Sequence, residues 1–142
     1  MREILFRGKR TYDGKWLYGN LIIDCIGKLH VISPEYFYED GHHLMYDDDT
    51  DQPVFINPIT IGQYTGMKDK NGKKIFEGDI LQTEDEIVVV EWHKPSASWY
   101  SKFVKYLEPR EHWWTGILCS QWGEYATVIG NIHDNPEMLK GE

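Results

Sequence analysis

Residues 61–81 constrain the fold of this chain more than any other stretch. Gly66, Gly72 and Gly78 fall at short intervals among apolar residues. Glycine takes backbone conformations that a side chain would block, so each marks a turn or a bend. Asn71-Gly72 is the strongest local signal of a tight hairpin turn. Gly78 separates Ile75-Phe76 from Ile80-Leu81, which predicts a bulge or sharp bend between two core-forming pairs. Glu77 and Asp79 flank that bend, where they either stay solvated or accept from nearby backbone N–H groups. A segment built this way is β structure folded back on itself.

The rest of the chain carries the same signature. Ile4 and Phe6 alternate with charged residues before Asp13-Gly14, a hairpin signal, and residues 16–23 form the expected return strand. Gly27 marks a second turn and residues 29–32 a third strand, so the first part reads as a small meander. Ser33-Pro34-Glu35 suits one helical turn, whereas Tyr36-Phe37-Tyr38 suits a strand, and both readings stand. Residues 39–52 become polar and acidic and read as a long loop, the boundary between subdomains 1–56 and 57–142. Residues 59–64, 87–92, 99–107, 113–119 and 125–132 read as further strands. The stretch 87–92 is continuously apolar apart from Glu91, as in a central buried strand. Asn135-Pro136-Glu137 suits the start of a short terminal helix. No long amphipathic helix is present. The expected architecture is mainly β: a small N-terminal β-meander packed on a C-terminal antiparallel barrel or roll, with a short C-terminal helix.

Composition narrows the function classes. A chain of 142 residues suits one domain or two small intimate ones. Its six Trp, nine Tyr and five Phe can fill a core with few residues. The net charge of −8 is spread evenly, with six Lys/Arg against ten Asp/Glu in residues 1–56 and nine against 13 in the remainder. Such acidity weighs against non-specific binding to duplex DNA, which needs many phosphate-neutralising cations. Cys25 and Cys119 form no CxxC pair and read as free thiols of a reducing cytoplasm. The N-terminal apolar run is too short for a signal peptide, and no stretch has the length of a membrane span. The expected location is therefore the cytoplasm, with no membrane partner.

Three pieces of sequence carry a resemblance. Arg2-Glu3-Ile4-Leu5-Phe6-Arg7-Gly8-Lys9 runs into Gly14-Lys15-Trp16-Leu17-Tyr18-Gly19. The centre is the stretch from Ile61-Gly62-Gln63-Tyr64 through Asn71-Gly72 to Phe76-Glu77-Gly78-Asp79-Ile80. The third piece is Gly130-Asn131-Ile132-His133-Asp134-Asn135-Pro136-Glu137-Met138-Leu139, preceded by Val128-Ile129. In this order and spacing the chain resembles the YopX family of phage and prophage proteins. The resemblance implies a β-rich fold whose second half is similar to an SH3-type barrel, and a phage or bacterial host cell as source. It implies no reaction and brings no catalytic or binding residue with it. The loop at 39–52 and residues 94–124 match nothing in the family pattern.

Candidate chemistry is thin. His42, His43, Asp47, Asp49 and Asp51 form the densest ligand cluster, and Asp47-x-Asp49-x-Asp51 opens like a calcium loop. Gln52 then stands where the sharp turn needs Gly, and Pro58 where a bidentate Glu is required, so a solvated acidic loop is the better reading. No zinc-ligand pairing completes His42 and His43. No serine sits in a nucleophile elbow, and the cysteines lie in apolar contexts where a thiol is inert. Gly66 to Gly72-Lys73-Lys74 has one residue too many for a P-loop, and no helix follows it. No metal, no cofactor and no catalysis are expected.

Binding surfaces carry more signal. Residues 2–15 hold five Lys/Arg and two Asp/Glu, and residues 68–74 hold four and one. Arg7, Lys9, Arg10, Lys68, Lys70 and Lys73 would form a basic patch if the two turns lie together. Trp99, Tyr100 and Trp113 add rings on which single-stranded bases could stack. Exposed Trp and Tyr equally anchor protein interfaces, and the many strand edges invite homo-oligomerisation. The leading expectation is a phage or prophage accessory protein that serves as a non-catalytic binding or protein-interaction module for a host or phage protein. The alternative is a nucleic-acid-associated, single-strand binding factor.

Overall fold

A computed structural model describes residues 1–23, 30–33, 46–47, 52–53, 55–108 and 117–140. The chain divides into two compact units, Met1–Gln63 and Tyr64–Glu142, a junction later than the composition shift that suggests a boundary at residue 56.

The first unit is the expected meander. Strand β1 (Phe6–Lys9) pairs antiparallel with β2 (Trp16–Ile23), in register from Phe6 opposite Gly19 to Lys9 opposite Trp16. Strand β3 (His30–Ser33) pairs with the far end of β2, from Asn20 opposite Ser33 to Ile23 opposite His30. The Asp13-Gly14 turn closes as Gly14 N–H donates to the Arg10 carbonyl at 2.8 Å. The turn at Gly27 and the segment from Pro34 to Tyr38 lie outside the described residues. The polar stretch 39–52 is not all loop, because β4 (Tyr46–Asp47) pairs antiparallel with β5 (Gln52–Pro53). Composition hid this ladder, since backbone pairing needs no apolar side chain.

The strand expected at 59–64 starts later. Pro58–Thr60 is a 3-10 turn capped by Asn57, whose side chain accepts from Ile59 N–H at 3.2 Å. Proline cannot donate to a ladder and suits the first helical position, so it delays the strand. Thr60 Oγ1 then accepts from Lys9 N–H at 2.8 Å. Strand β6 (Gly62–Lys68) opens against β1, with Gly62 opposite Arg7 and Gln63 opposite Phe6, and continues into the second unit.

In the second unit, β6 turns through Asn71-Gly72 into β7 (Lys74–Phe76), with Tyr64 opposite Phe76. Strands β8 (Asp79–Gln82), β9 (Glu86–His93), β10 (Ser98–Tyr106) and β11 (Thr127–Asn131) form an antiparallel sheet in the order β10-β9-β8-β11. Side chains alternate faces along a strand. Leu81, Val88 and Val90 accordingly pack with Ile75 of β7 on one face, while Ile80, Ile87 and Val89 pack with Ile129, Met138 and Leu139 on the other. Burial on both faces explains why β9 is an unbroken apolar run rather than an alternating one.

Gly78 makes the expected bend, at φ +86°, with its N–H on the Val90 carbonyl and its carbonyl accepting from Ile132. Of the flanking acids, Asp79 is the one drawn into the core, where its Oδ2 accepts from Phe76 N–H at 2.8 Å. Cys119 does not continue a strand; it is half-buried in a 3-10 turn leading into α1 (Trp122–Tyr125). A four-residue helix has no stability of its own. Trp122 secures it, being fully buried with Nε1 donating to Ser101 Oγ at 2.8 Å. The terminal helix is a 3-10 turn, Pro136–Leu139. Asn135 does not cap it by side chain; its Oδ1 accepts from Asn131 N–H instead. Among the described residues, no helix is long and apolar enough to cross a membrane.

Candidate binding cleft

A cleft of about 990 Å³ opens in the second unit, lined from the β8–β9 turn, β10, α1 and β11. Its acidic wall starts at Thr83. The Thr83 hydroxyl oxygen accepts from Asp85 N–H at 3.2 Å and Glu86 N–H at 3.1 Å, a side-chain turn that closes β8 onto β9. Glu84 and Asp85 thereby stand at the tip, and Glu86 enters the wall. Glu86 is only 7% exposed, and its Oε1 accepts from Ile117 N–H at 3.1 Å.

A further part of the lining comes from α1. Buried Trp122 holds the helix down, which presents Glu124 and Tyr125 outward. The Tyr125 phenol donates to Glu124, and that bond raises its pKa above the ordinary 10.0. Lys70 sits at the same cleft, placed by the Asn71-Gly72 turn as its N–H donates to the Ala126 carbonyl at 3.0 Å. The turn itself is organised by Asp69, which is 4% exposed. Its Oδ1 accepts from Asn71 and Lys73 N–H groups, each at 2.9 Å, and its Oδ2 from Val128 N–H at 3.0 Å. Burial opposes the Asp69 charge, yet these donors hold the carboxyl below its ordinary value of 3.8.

Among the described lining residues, four carboxylates, from Glu84, Asp85, Glu86 and Glu124, thus share the cleft with one ammonium, that of Lys70. Tyr106 and Tyr125 contribute rings, and Ile117 and Ile129 contribute apolar lining. Among the described residues, no group of three or more His, Cys, Asp or Glu converges as a metal site would. The arrangement can receive positive charge spread over several contacts.

The sequence-predicted residues lie elsewhere, Lys70 excepted. Arg10 is 3% exposed and grips Asp13 through Nε at 3.1 Å and Nη2 at 2.7 Å. Arg7 is buried, and its guanidinium lies 4.8 Å from the Trp16 ring, which the Lys9 ammonium approaches at 5.3 Å. These three belong to the first unit. In the second, Lys68, Lys70 and Lys73 are exposed around one hairpin turn. Trp99 meets Trp92 edge-on at 5.0 Å and packs on the core. The Tyr100 hydroxyl donates to Glu91 Oε2 at 3.2 Å. Trp113 lies outside the described residues, as do His42, His43, Asp49 and Asp51.

Glu84, Asp85, Glu86, Glu124 and the two tyrosines were not legible as a set. The one local signal is the acidic run after Thr83, which resembles any solvated turn.

The fold and the cleft define a mainly β protein of two compact units with an acid-walled cavity. The family model described as YopX protein matches residues 5–140, and the chain belongs to the YopX family. The crystal structure of protein EF1440 from Enterococcus faecalis is similar, with a TM-score of 0.63 and 24% sequence identity, covering 99% of this chain and 100% of that one. That likeness concerns the fold. No curated protein matches.

Proposed function

We propose that this YopX family member is a phage or prophage accessory protein of the bacterial cytoplasm, acting as a non-catalytic binding module through the cleft of its second unit. The cavity carries this reading. At about 990 Å³ it lies at the upper end of ligand-site volumes, large enough for several side chains of a partner. Its lining groups are tied to backbone donors and to one another (Glu86 to Ile117, Tyr125 to Glu124), an arrangement suited to holding a shape. Titrating the labelled full chain with peptides of cationic, neutral and acidic sequence tests it. Saturable shifts at Thr83, Glu86 and Tyr125 with unchanged peptide mass are expected. Absence of binding by every class, or covalent change in the peptide, would defeat the proposal.

A second reading rests on the β9–β10 hairpin. Trp92 is 44% exposed beside Trp99, and exposed Lys94 and Lys102 lie on the same hairpin. Rings and cations in that arrangement suit stacked single-stranded bases. Quenching of tryptophan fluorescence by an oligothymidylate at low salt is the expected sign, and its absence would eliminate this reading.

A further inference from the structure

We infer that the cleft of the second unit docks a cationic segment of a partner protein, with its guanidinium and ammonium groups distributed over Glu84, Asp85, Glu86 and Glu124. This rests on the binding-module reading and names the ligand class.

Charge complementarity is the first support: among the described lining residues four carboxylates stand against one ammonium. Glu86 is the second. It lines the cleft at 7% exposure, fixed in place as its Oε1 accepts from Ile117 N–H. A carboxylate held mostly out of water gains from each further charge-assisted N–H that a cation brings. The tyrosines are the third support. Their rings accept a cation over the face, and Arg is the usual guest. Ile117 and Ile129 offer apolar surface to the aliphatic stem of such a side chain, and neighbouring Leu118 is 64% exposed. The carboxylates are spread over the walls rather than converging on one point, which suits a side-chain cation better than a metal ion. The same charges repel a phosphate backbone.

The test uses the labelled full chain and four probes: an Arg/Lys-rich decapeptide, its acidic counterpart, a neutral apolar peptide and spermidine. The variants are Glu84→Gln and Glu124→Gln, with Glu137→Gln outside the lining as a control of equal charge. The cationic peptide should shift the amides of Thr83, Glu84, Glu86 and Tyr125, and each cleft variant should weaken it about tenfold, the equivalent of one charge-assisted contact. Glu137→Gln should bind as the parent does. If the neutral peptide shifts these amides and the cationic one does not, the charge assignment falls and the binding module stands. If no peptide shifts them, both fall. Spermidine binding as tightly as the decapeptide would overturn the partner-protein assignment. Cationic binding that ignores both cleft variants would overturn the site.

Discussion

The carboxylate of Asp69 accepts the backbone N–H of Val128 at 3.0 Å, across a sequence separation of 59 residues. The same side chain organises its own hairpin turn through Asn71 and Lys73. One buried acid thus joins the first turn of the second unit to its last strand.

Replacing Asp69 with alanine leaves three buried or half-buried backbone donors without their acceptor. An unsatisfied buried donor costs roughly 1–3 kcal/mol, and part of this loss is recovered by water at the turn. Asp69→Ala should therefore lower unfolding free energy by about 3 kcal/mol in urea at neutral pH. Asp69→Asn keeps one acceptor oxygen and should lose about half as much. A loss below about 0.5 kcal/mol for the alanine variant would contradict the network, being no more than a surface substitution costs.

The same residue sets a pH dependence. Its folded-state pKa lies below the ordinary 3.8. The stability it contributes is complete above the unfolded value and is lost as pH falls through the folded one. Unfolding free energy should drop as the pH is lowered below about 4. The acid limb should be shallower in Asp69→Asn. Equal limbs in the two proteins would assign the acid sensitivity to other carboxylates.

Arg10 and Asp13 make a second, local prediction. The side-chain hydrogen bond from Arg10, assisted by Lys15 N–H, lowers the Asp13 carboxyl from 3.8 to about 2. In Arg10→Gln, an NMR titration of the Asp13 carboxyl carbon should move back toward 3.8. Arg10→Lys should recover only part of the depression, because a lysine cannot span both oxygens. An unchanged titration in Arg10→Gln would show that the pair does not hold in solution.

Gly130 faces Asn135. A Cβ at position 130 would collide with the Asn135 side-chain amide, whose Oδ1 accepts from Asn131 N–H at 3.2 Å. Gly130→Ala should cost about 1–3 kcal/mol in thermal or urea unfolding, the usual range for forced overpacking. Asn135→Ala removes both the collision and the hydrogen bond. The double variant should thus be more stable than the sum of the single losses predicts. Strict additivity would place the two residues out of contact.

Much of the fold was legible because its signals are local. Gly14 and Asn71-Gly72 mark turns, Gly78 marks a bend, and the apolar run from Ile87 to Val90 marks a strand covered on both faces. The errors share one cause. Pro58 and Asn57 shift a strand start, and Asn135 serves Asn131 rather than its own turn, because a side chain's best partner depends on tertiary position. The cleft was illegible for the same reason. Glu86 and Glu124 line one cleft only once Trp122 has docked on Ser101, and no spacing in the sequence encodes that. The basic residues of the two turns are partly absorbed by the fold, as Arg10 is by Asp13.

The Asp69–Val128 bond also orders events during synthesis. A chain emerging from the ribosome presents the hairpin turn first and Val128 of β11 only 59 residues later. Until Val128 arrives, Asp69 can satisfy only its own turn, and β8 lacks its neighbour on the β11 side. Nascent β8 to β10 therefore wait with an open edge, the state in which β chains misassociate. The later strand β11 is the clasp, and a slow stretch of translation just before it would lengthen the time in which the unfinished unit is exposed to its neighbours on the polysome.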